Sequence, residues 1–245
     1  PQTQIATCYT YMANLNTSGD KLFKPNSYDF YKASMTQPLH KLQRDTDETP
    51  PPELRAKLVS EEQYDVITCI FAIYYTFESE QMFEEFIKNV SRNLKTGGRF
   101  ICSYMNGDAV KKELGDKTFI EGKDKDDQMI WKIQKGESSG GPFGDEVLIS
   151  FTGLYTDNKE YLVNLDNAKV TKIMTKYGLQ YSEKQEFPTK NDKTPLNDGE
   201  KAWAKFHYNI CFKKIGGRRA QPAVATAQPS PKKVKVKAKP KPGKK

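Results

Sequence analysis

The stretch from Tyr64 to Glu80, Tyr-Asp-Val-Ile-Thr-Cys-Ile-Phe-Ala-Ile-Tyr-Tyr-Thr-Phe-Glu-Ser-Glu, restricts the fold more than any other part of the chain. Val66 to Ile73 is a continuous apolar run with the length and β-branched content of a strand buried on both faces. It leads into an aromatic cluster, Tyr74, Tyr75 and Phe77, and then into acidic residues that open a helix. Asn93-Leu-Lys-Thr-Gly-Gly-Arg-Phe-Ile-Cys102 reads as the helix end, a glycine turn and a second apolar strand. This order predicts a βαβ unit whose functional loop follows the first strand, where open α/β sheets bind ligands.

The rest of the chain supports one α/β domain at residues 1–215, with a basic tail at 216–245. Alternation and aromatics predict a strand at Tyr28 to Ala33. Asp45 to Glu53, with three consecutive prolines, reads as a loop, and Glu53 to Ser60 as a short helix. Met82, Phe83, Phe86, Ile87, Val90 and Leu94 share one helical face, so Glu78 to Leu94 is a predicted helix capped by Ser79. Arg99 to Tyr104 reads as a strand and Asp108 to Leu114 as a helix. Residues 116–142 read as polar loop interrupted by a short strand at Met129 to Ile133. A strand is expected at Val147 to Tyr155 and a largely helical segment from Tyr161 to Tyr177, ended by Gly178. Leu179 to Phe187 should be extended. Phe206 to Phe212 should be an antiparallel last strand closing one edge of the sheet.

Charge divides the chain. The formal net charge is +8, but the segment from Lys213 onward carries 12 Lys and Arg and no acid, which leaves −4 for the body. Ala220 to Lys245 is Pro, Ala and Lys of low complexity, too polar to offset its ordering entropy and therefore expected to be disordered. Ser230-Pro-Lys-Lys-Val-Lys-Val-Lys resembles a nuclear-localisation segment; it reads equally as a tail that attracts RNA by charge alone. Cys8, Cys69, Cys102 and Cys211 show no paired spacing, and two lie in predicted buried strands, as in a reduced intracellular protein. No apolar run approaches the ~20 residues of a membrane span.

Four pieces, in order, resemble one family. Asp65 to Ser79 is similar to the "FD(I/V)xxCQFxxHYxFES" box of mRNA cap guanine-N7 methyltransferases. Asn89 to Ile101 is similar to the family's "NxxxxLxPGGxFI". Phe143-Gly with Phe151 and Gly153 is similar to "FGxxYxFxLxG", and Glu160-Tyr-Leu-Val to "E(F/Y)LV". The resemblance covers roughly Ser27 to Phe212, and its departures are of the divergent kind that large DNA viruses encode. It implies a Rossmann-like class I methyltransferase sheet with helices on both faces, entered around the third strand because N-terminal strands are missing. It also implies methyl transfer from S-adenosylmethionine to N7 of the 5′ cap guanine.

The chemistry so implied needs no general base. Guanine N7 carries a lone pair and no proton, so catalysis should come from alignment and electrostatics. That suits a chain with only two histidines, His40 and His207. By the resemblance, Glu160 stands where a carboxylate accepts hydrogen bonds from the guanine ring N–H and amino group. The bland alternative is an exposed acid at a helix N-terminus. Tyr75 and Phe143 match the aromatic walls around the base; the alternative is that both are core residues. Phe143, flanked by glycines, is expected in a loop rather than in the core. Tyr74 stands where the family has His, and Met105 where it has Pro. A C-terminal Tyr of the family corresponds to Tyr208 or to His207, the register being open.

The cofactor side departs most. The glycine-rich "DLGCGxGGD" loop and the following acidic residue have no counterpart. By the resemblance Ser34 replaces an Asp that contacts adenine, Ile70 replaces a Gln near the cofactor, and Phe71 lies beside it. Three explanations compete: truncation, a degenerate subunit that stimulates a capping enzyme, or a loop supplied by a partner chain. The expected partners are capped mRNA and other capping-enzyme domains, and the expected site of action is the nucleus or a cytoplasmic viral factory.

Overall fold

The structure, a computed structural model, describes Met35, residues 64–188 and residues 195–215. The expected strand at Tyr28 to Ala33, the loop and helix between Asp45 and Ser60, Ser34 and the basic tail fall outside the described residues.

Two four-stranded sheets make up the described chain. The first contains strands β1 (Tyr64–Ile70), β2 (Leu94–Met105), β7 (Leu179–Glu186) and β8 (His207–Lys214), in the order β1-β2-β8-β7. The second is the meander β3 (Phe119–Lys123), β4 (Met129–Lys135), β5 (Glu146–Phe151) and β6 (Tyr155–Tyr161). Four helices connect them: α1 (Glu80–Asn93), α2 (Gly107–Leu114), α3 (Ala168–Lys176) and α4 (Asp198–Ala204).

The predicted βαβ unit is present, but β1 ends at Ile70 and is not buried on both faces: Val66 and Ile70 are largely exposed, and Cys69 is its one buried residue. β1 and β2 pair in parallel, with Cys69 opposite Cys102, and α1 crosses between them. Ser79 caps α1 by accepting from the Met82 amide at 3.3 Å. The apolar stripe of α1 enters the core, where Phe83 and Ile87 are fully buried against Phe77 and Phe100. A fully buried Phe contributes about 2–3 kcal/mol, so this stripe, more than helix propensity, holds α1 on the sheet. The expected glycine turn before Arg99 is instead part of β2, at an irregularity in its pairing with β1: Gly97 has φ +85, and a Cβ on Gly98 would meet the Asp65 and Lys95 carbonyl oxygens at 2.9 and 2.8 Å.

Several expectations need correction. The last strand is antiparallel, as expected, but it is not an edge: β8 pairs with β2 on one side and β7 on the other. Its Ile210, Cys211 and Phe212 are buried, whereas β7 is a charged strand, Leu-Gln-Tyr-Ser-Glu-Lys-Gln-Glu, suited to an edge. The segment Val147 to Tyr155 is not one strand, because Thr152-Gly153-Leu154 turns it into the β5–β6 hairpin, with Gly153 at φ +79. The segment from Tyr161 is helical only over Ala168–Lys176, after which Gly178 takes φ +75. The polar composition of 116–142 also conceals β3, which pairs with β4 from Phe119 to Lys123.

Two cores meet at the end of β2. The first lies between the first sheet, α1 and α3; the second gathers Trp131, Ile133, Val147 and Ile149 with α2. The junction is hydrogen-bonded: the Asn106 amide donates to the Phe206 carbonyl at 2.7 Å, and the Gly107 amide to the Val163 carbonyl at 2.7 Å.

Candidate functional site

A cavity of about 370 Å³ opens at the C-terminal ends of β1 and β2. Its wall on the first sheet is Phe71 to Tyr75 after β1, Ser103 to Met105 at the end of β2, and His207 at the start of β8. Its wall on the second sheet is Tyr155, Asn158, Glu160 and Tyr161 of β6. The C-terminal end of the parallel strands is where the βαβ reading placed a ligand.

The aromatic loop is a 3₁₀ turn, Ile73–Glu78, rather than a continuation of β1. Its Ile73 and Phe77 face the core, which leaves Tyr74 and Tyr75 on the cavity side, ring centroids 4.1 Å apart. Tyr75 is 53% exposed, so one face of its ring is available. Burial raises the Tyr74 hydroxyl well above the ordinary tyrosine range, so it stays a neutral donor. Phe71 has φ +50, a left-handed conformation that costs a non-glycine residue about 1–2 kcal/mol. It is held there by its amide, which donates to the Ser103 carbonyl at 2.9 Å. Its ring packs at 5.5 Å from that of His207 and 5.6 Å from that of Phe187. His207 Nδ1 lies 2.8 Å from the Trp203 carbonyl, and burial lowers its pKa, so the ring is neutral near pH 7.

Glu160 is not at a helix N-terminus. It lies in β6, opposite the buried Val147 of β5, and Asn158 lies opposite the buried Ile149. Paired residues share a sheet face. Two polar side chains therefore occupy the core-facing side of an edge strand, where their β5 partners are apolar. Asn158 Nδ2 donates to Glu160 Oε1 at 3.2 Å. Burial disfavours the charged carboxylate and outweighs that bond, pushing the Glu160 pKa up from 4.5 to about 7.

A β-bulge completes this wall. Between the pairs Ile149–Asn158 and Phe151–Tyr155, β6 has one residue more than β5. Asp157 absorbs the excess at φ +50, its amide donating to Ser150 Oγ at 2.9 Å and its carboxylate accepting from Ser150 Oγ at 3.1 Å. Tyr155 thereby joins Asn158 and Glu160 on one face, which strict alternation would forbid.

The cavity thus unites Tyr74, Tyr75, Glu160 and Phe71 among the expected site residues. Phe143 is a correction. It sits in the loop foreseen for it, yet it is 8% exposed and packed 5.3 and 5.6 Å from the rings of Phe77 and Phe83, away from the cavity. The loop folds inward because Asp145 gathers it, accepting from the Ser138 hydroxyl at 2.9 Å, the Ser139 amide at 2.7 Å and the Lys111 ammonium. Tyr208 is a second correction: alternation along β8 turns it away from the cavity, under the Lys184 ammonium 4.4 Å from its ring, and His207 takes the cavity position. Ile70 also lies outside the cavity wall, 51% exposed at the end of β1. Asn158 and Tyr155 were missed. Thr156 to Glu160 are five polar residues in succession, so no alternation singled out the first; the bulge hid the second.

Among known proteins, the model of the mRNA (guanine-N(7))-methyltransferase domain matches residues 29–214. An mRNA cap guanine-N(7) methyltransferase of Aspergillus niger is 40% identical over 58 residues, 24% of this chain and 10% of that protein. One from Cryptococcus neoformans is 30% identical over 122 residues, 47% of this chain and 18% of that protein. The matched stretch thus spans under a fifth of either relative. Of solved structures, an S-adenosylmethionine-dependent methyltransferase from Clostridium acetobutylicum superposes at a TM-score of 0.44 with 14% identity, covering 84% of this chain and 70% of that one. The family match takes in both walls of the cavity, from Phe71 to His207. On that ground the chain belongs to the mRNA (guanine-N7)-methyltransferase domain family.

Proposed function

We propose that this chain is an mRNA cap guanine-N7 methyltransferase domain and that the cavity receives the cap guanine. The observation that carries the proposal is the inward-facing pair Glu160 and Asn158 set among tyrosines. Guanine presents adjacent donors, N1–H and the 2-amino group, and a carboxylate accepts both; adenine presents an acceptor at N1 and is refused. Tyr75 offers an open ring face for stacking, worth about 1–3 kcal/mol per base. A product base carrying positive charge gains cation–π attraction to the same tyrosines.

The purine's N7 lies on the edge away from N1 and the amino group. Anchoring that edge at Glu160 on the second sheet turns N7 towards the first-sheet wall, at Phe71. S-adenosylmethionine, when bound, supplies an electrophilic methyl group there. Ile70 and Phe71, consecutive at the end of β1 and 51% and 47% exposed, are apolar residues that would lie against the flat adenine of that group. Neither offers an acid for the ribose hydroxyls. The chain's own work is to orient the base, keep its edge out of water and leave N7 unencumbered. The relatives named above are fungal, so a viral source rests on the divergent motifs alone.

Titration calorimetry of the 245-residue chain with GpppG and, separately, with S-adenosylmethionine tests the proposal. Micromolar GpppG binding that disappears in Glu160→Ala supports it. GpppG binding without cofactor binding leaves a cap-binding domain that is not an enzyme by itself. No GpppG binding, or binding unaffected by Glu160→Ala, sinks it.

A further inference from the structure

Glu160 is unusual as a ligand-binding carboxylate because its charge is poorly supported. Among the described residues no Lys, Arg or His lies within ion-pair distance of it; Lys159 next to it points to the other face and pairs with Glu146. The titratable groups around it are Tyr74 and Tyr75 of the 3₁₀ turn, Tyr104 of β2, Tyr155 and Tyr161 of β6, and His207 of β8. None of these supplies a positive charge at neutral pH, since His207 is held below its ordinary range by burial. The one group that favours the ionised carboxylate is the Asn158 amide.

From this arrangement we infer that Asn158 is a positioning residue for the guanine site: its amide favours the charged form of Glu160 and aims it, with Oε2 left free for the base. The inference rests on the cavity being the guanine site. An ionised carboxylate only accepts, so it forces the Asn158 amide to present N–H to Oε1. That contact fixes which oxygen is occupied and turns the other towards the ligand. The Ser150–Asp157 bulge sets the backbone from which Asn158 reaches. The device compensates for the missing cation, because a hydrogen bond to the charged form is the remaining way to favour ionisation in a buried site.

The test uses the full chain in three forms: wild type, Asn158→Ala and Asn158→Asp, the last isosteric and retaining the fold of the strand. The Glu160 side-chain carboxyl carbon is followed by NMR against pH without ligand, and GpppG affinity is measured by calorimetry between pH 6.5 and 9. Asn158→Ala should raise the Glu160 midpoint by about one pH unit, and Asn158→Asp by more, through the added like charge. GpppG affinity in Asn158→Ala should then fall about tenfold at pH 6.5 and approach the wild-type value at pH 9. Burial holds His207 below its ordinary 6.5, so its charge changes at the acid side of this window and not across it.

An unchanged midpoint in both variants overturns the inference. So does an affinity loss equal at every pH, which would mark a purely structural contact. The carboxyl titration stands without ligand, so the two readings fail separately. If GpppG does not bind wild type while the midpoint still moves, the guanine assignment fails and Asn158 keeps its hold on Glu160.

Discussion

Replacing Glu160 by Gln should stabilise the protein at alkaline pH and leave it nearly unchanged in acid. In the unfolded chain the carboxyl ionises near 4.5, and in the folded chain near 7, because burial outweighs the Asn158 hydrogen bond. Between those values folding takes up a proton, so stability falls as pH rises through the window and levels off above it. The full displacement corresponds to about 3 kcal/mol, and partial solvent access reduces this to about 2 kcal/mol. Gln is neutral throughout and can still accept from Asn158 through its Oε1. Urea-unfolding free energies at pH 5 and pH 8 give the measurement. The variant's advantage over wild type should be about 2 kcal/mol larger at pH 8. An advantage that does not change with pH would refute the buried-carboxylate argument. A wild type favoured at pH 8 would mean that a cation pairs with Glu160 in solution. The same variant should lose GpppG at pH 8, because its amide N–H faces guanine's donors.

Tyr75→Ala should weaken GpppG binding by about 1–3 kcal/mol in calorimetry while shifting thermal stability little, since the ring is 53% exposed. Phe143→Ala should do the reverse: a loss of about 3–5 kcal/mol in urea unfolding, with cap affinity retained in the folded fraction. Asp145→Asn should cost about 2 kcal/mol at pH 7; burial pushes the Asp145 carboxyl up, but its bonds from Lys111, Ser138 and Ser139 outweigh that and hold it low. Its contribution should therefore shrink once pH falls below the ordinary value of 3.8, and the variant's deficit should narrow there as pH is lowered further. Deleting residues 220–245 should flatten the salt dependence of RNA binding and leave GpppG affinity unchanged; equal loss for both ligands would refute a purely electrostatic tether.

Elements whose residues state their own burial were legible in the sequence. The i, i+3, i+4 stripe of α1 carries a period that one local geometry satisfies, whereas the apolar run Val66 to Ile73 signalled a strand but neither its end at Ile70 nor its exposure. Tyr74, Tyr75 and Glu160 were named for another reason: the motifs that carry them resemble those of the family, whereas no local period singles them out. Tertiary structure decided what local sequence cannot encode. Glycines around Phe143 signalled a loop, but whether that loop faces solvent depended on Asp145 meeting Lys111 from α2. The register at the end of β8 decided between His207 and Tyr208, because a one-residue slip exchanges the faces. The Ser150–Asp157 bulge, a contact between two strands, brought Tyr155 beside Glu160. Sequence thus determined the βαβ unit around α1 and, by resemblance, a candidate carboxylate, but not β3, the β5–β6 hairpin or α4. The packing of one sheet against the other decided which side chains face that carboxylate, because facing is set by long-range register and loop closure, not by local period.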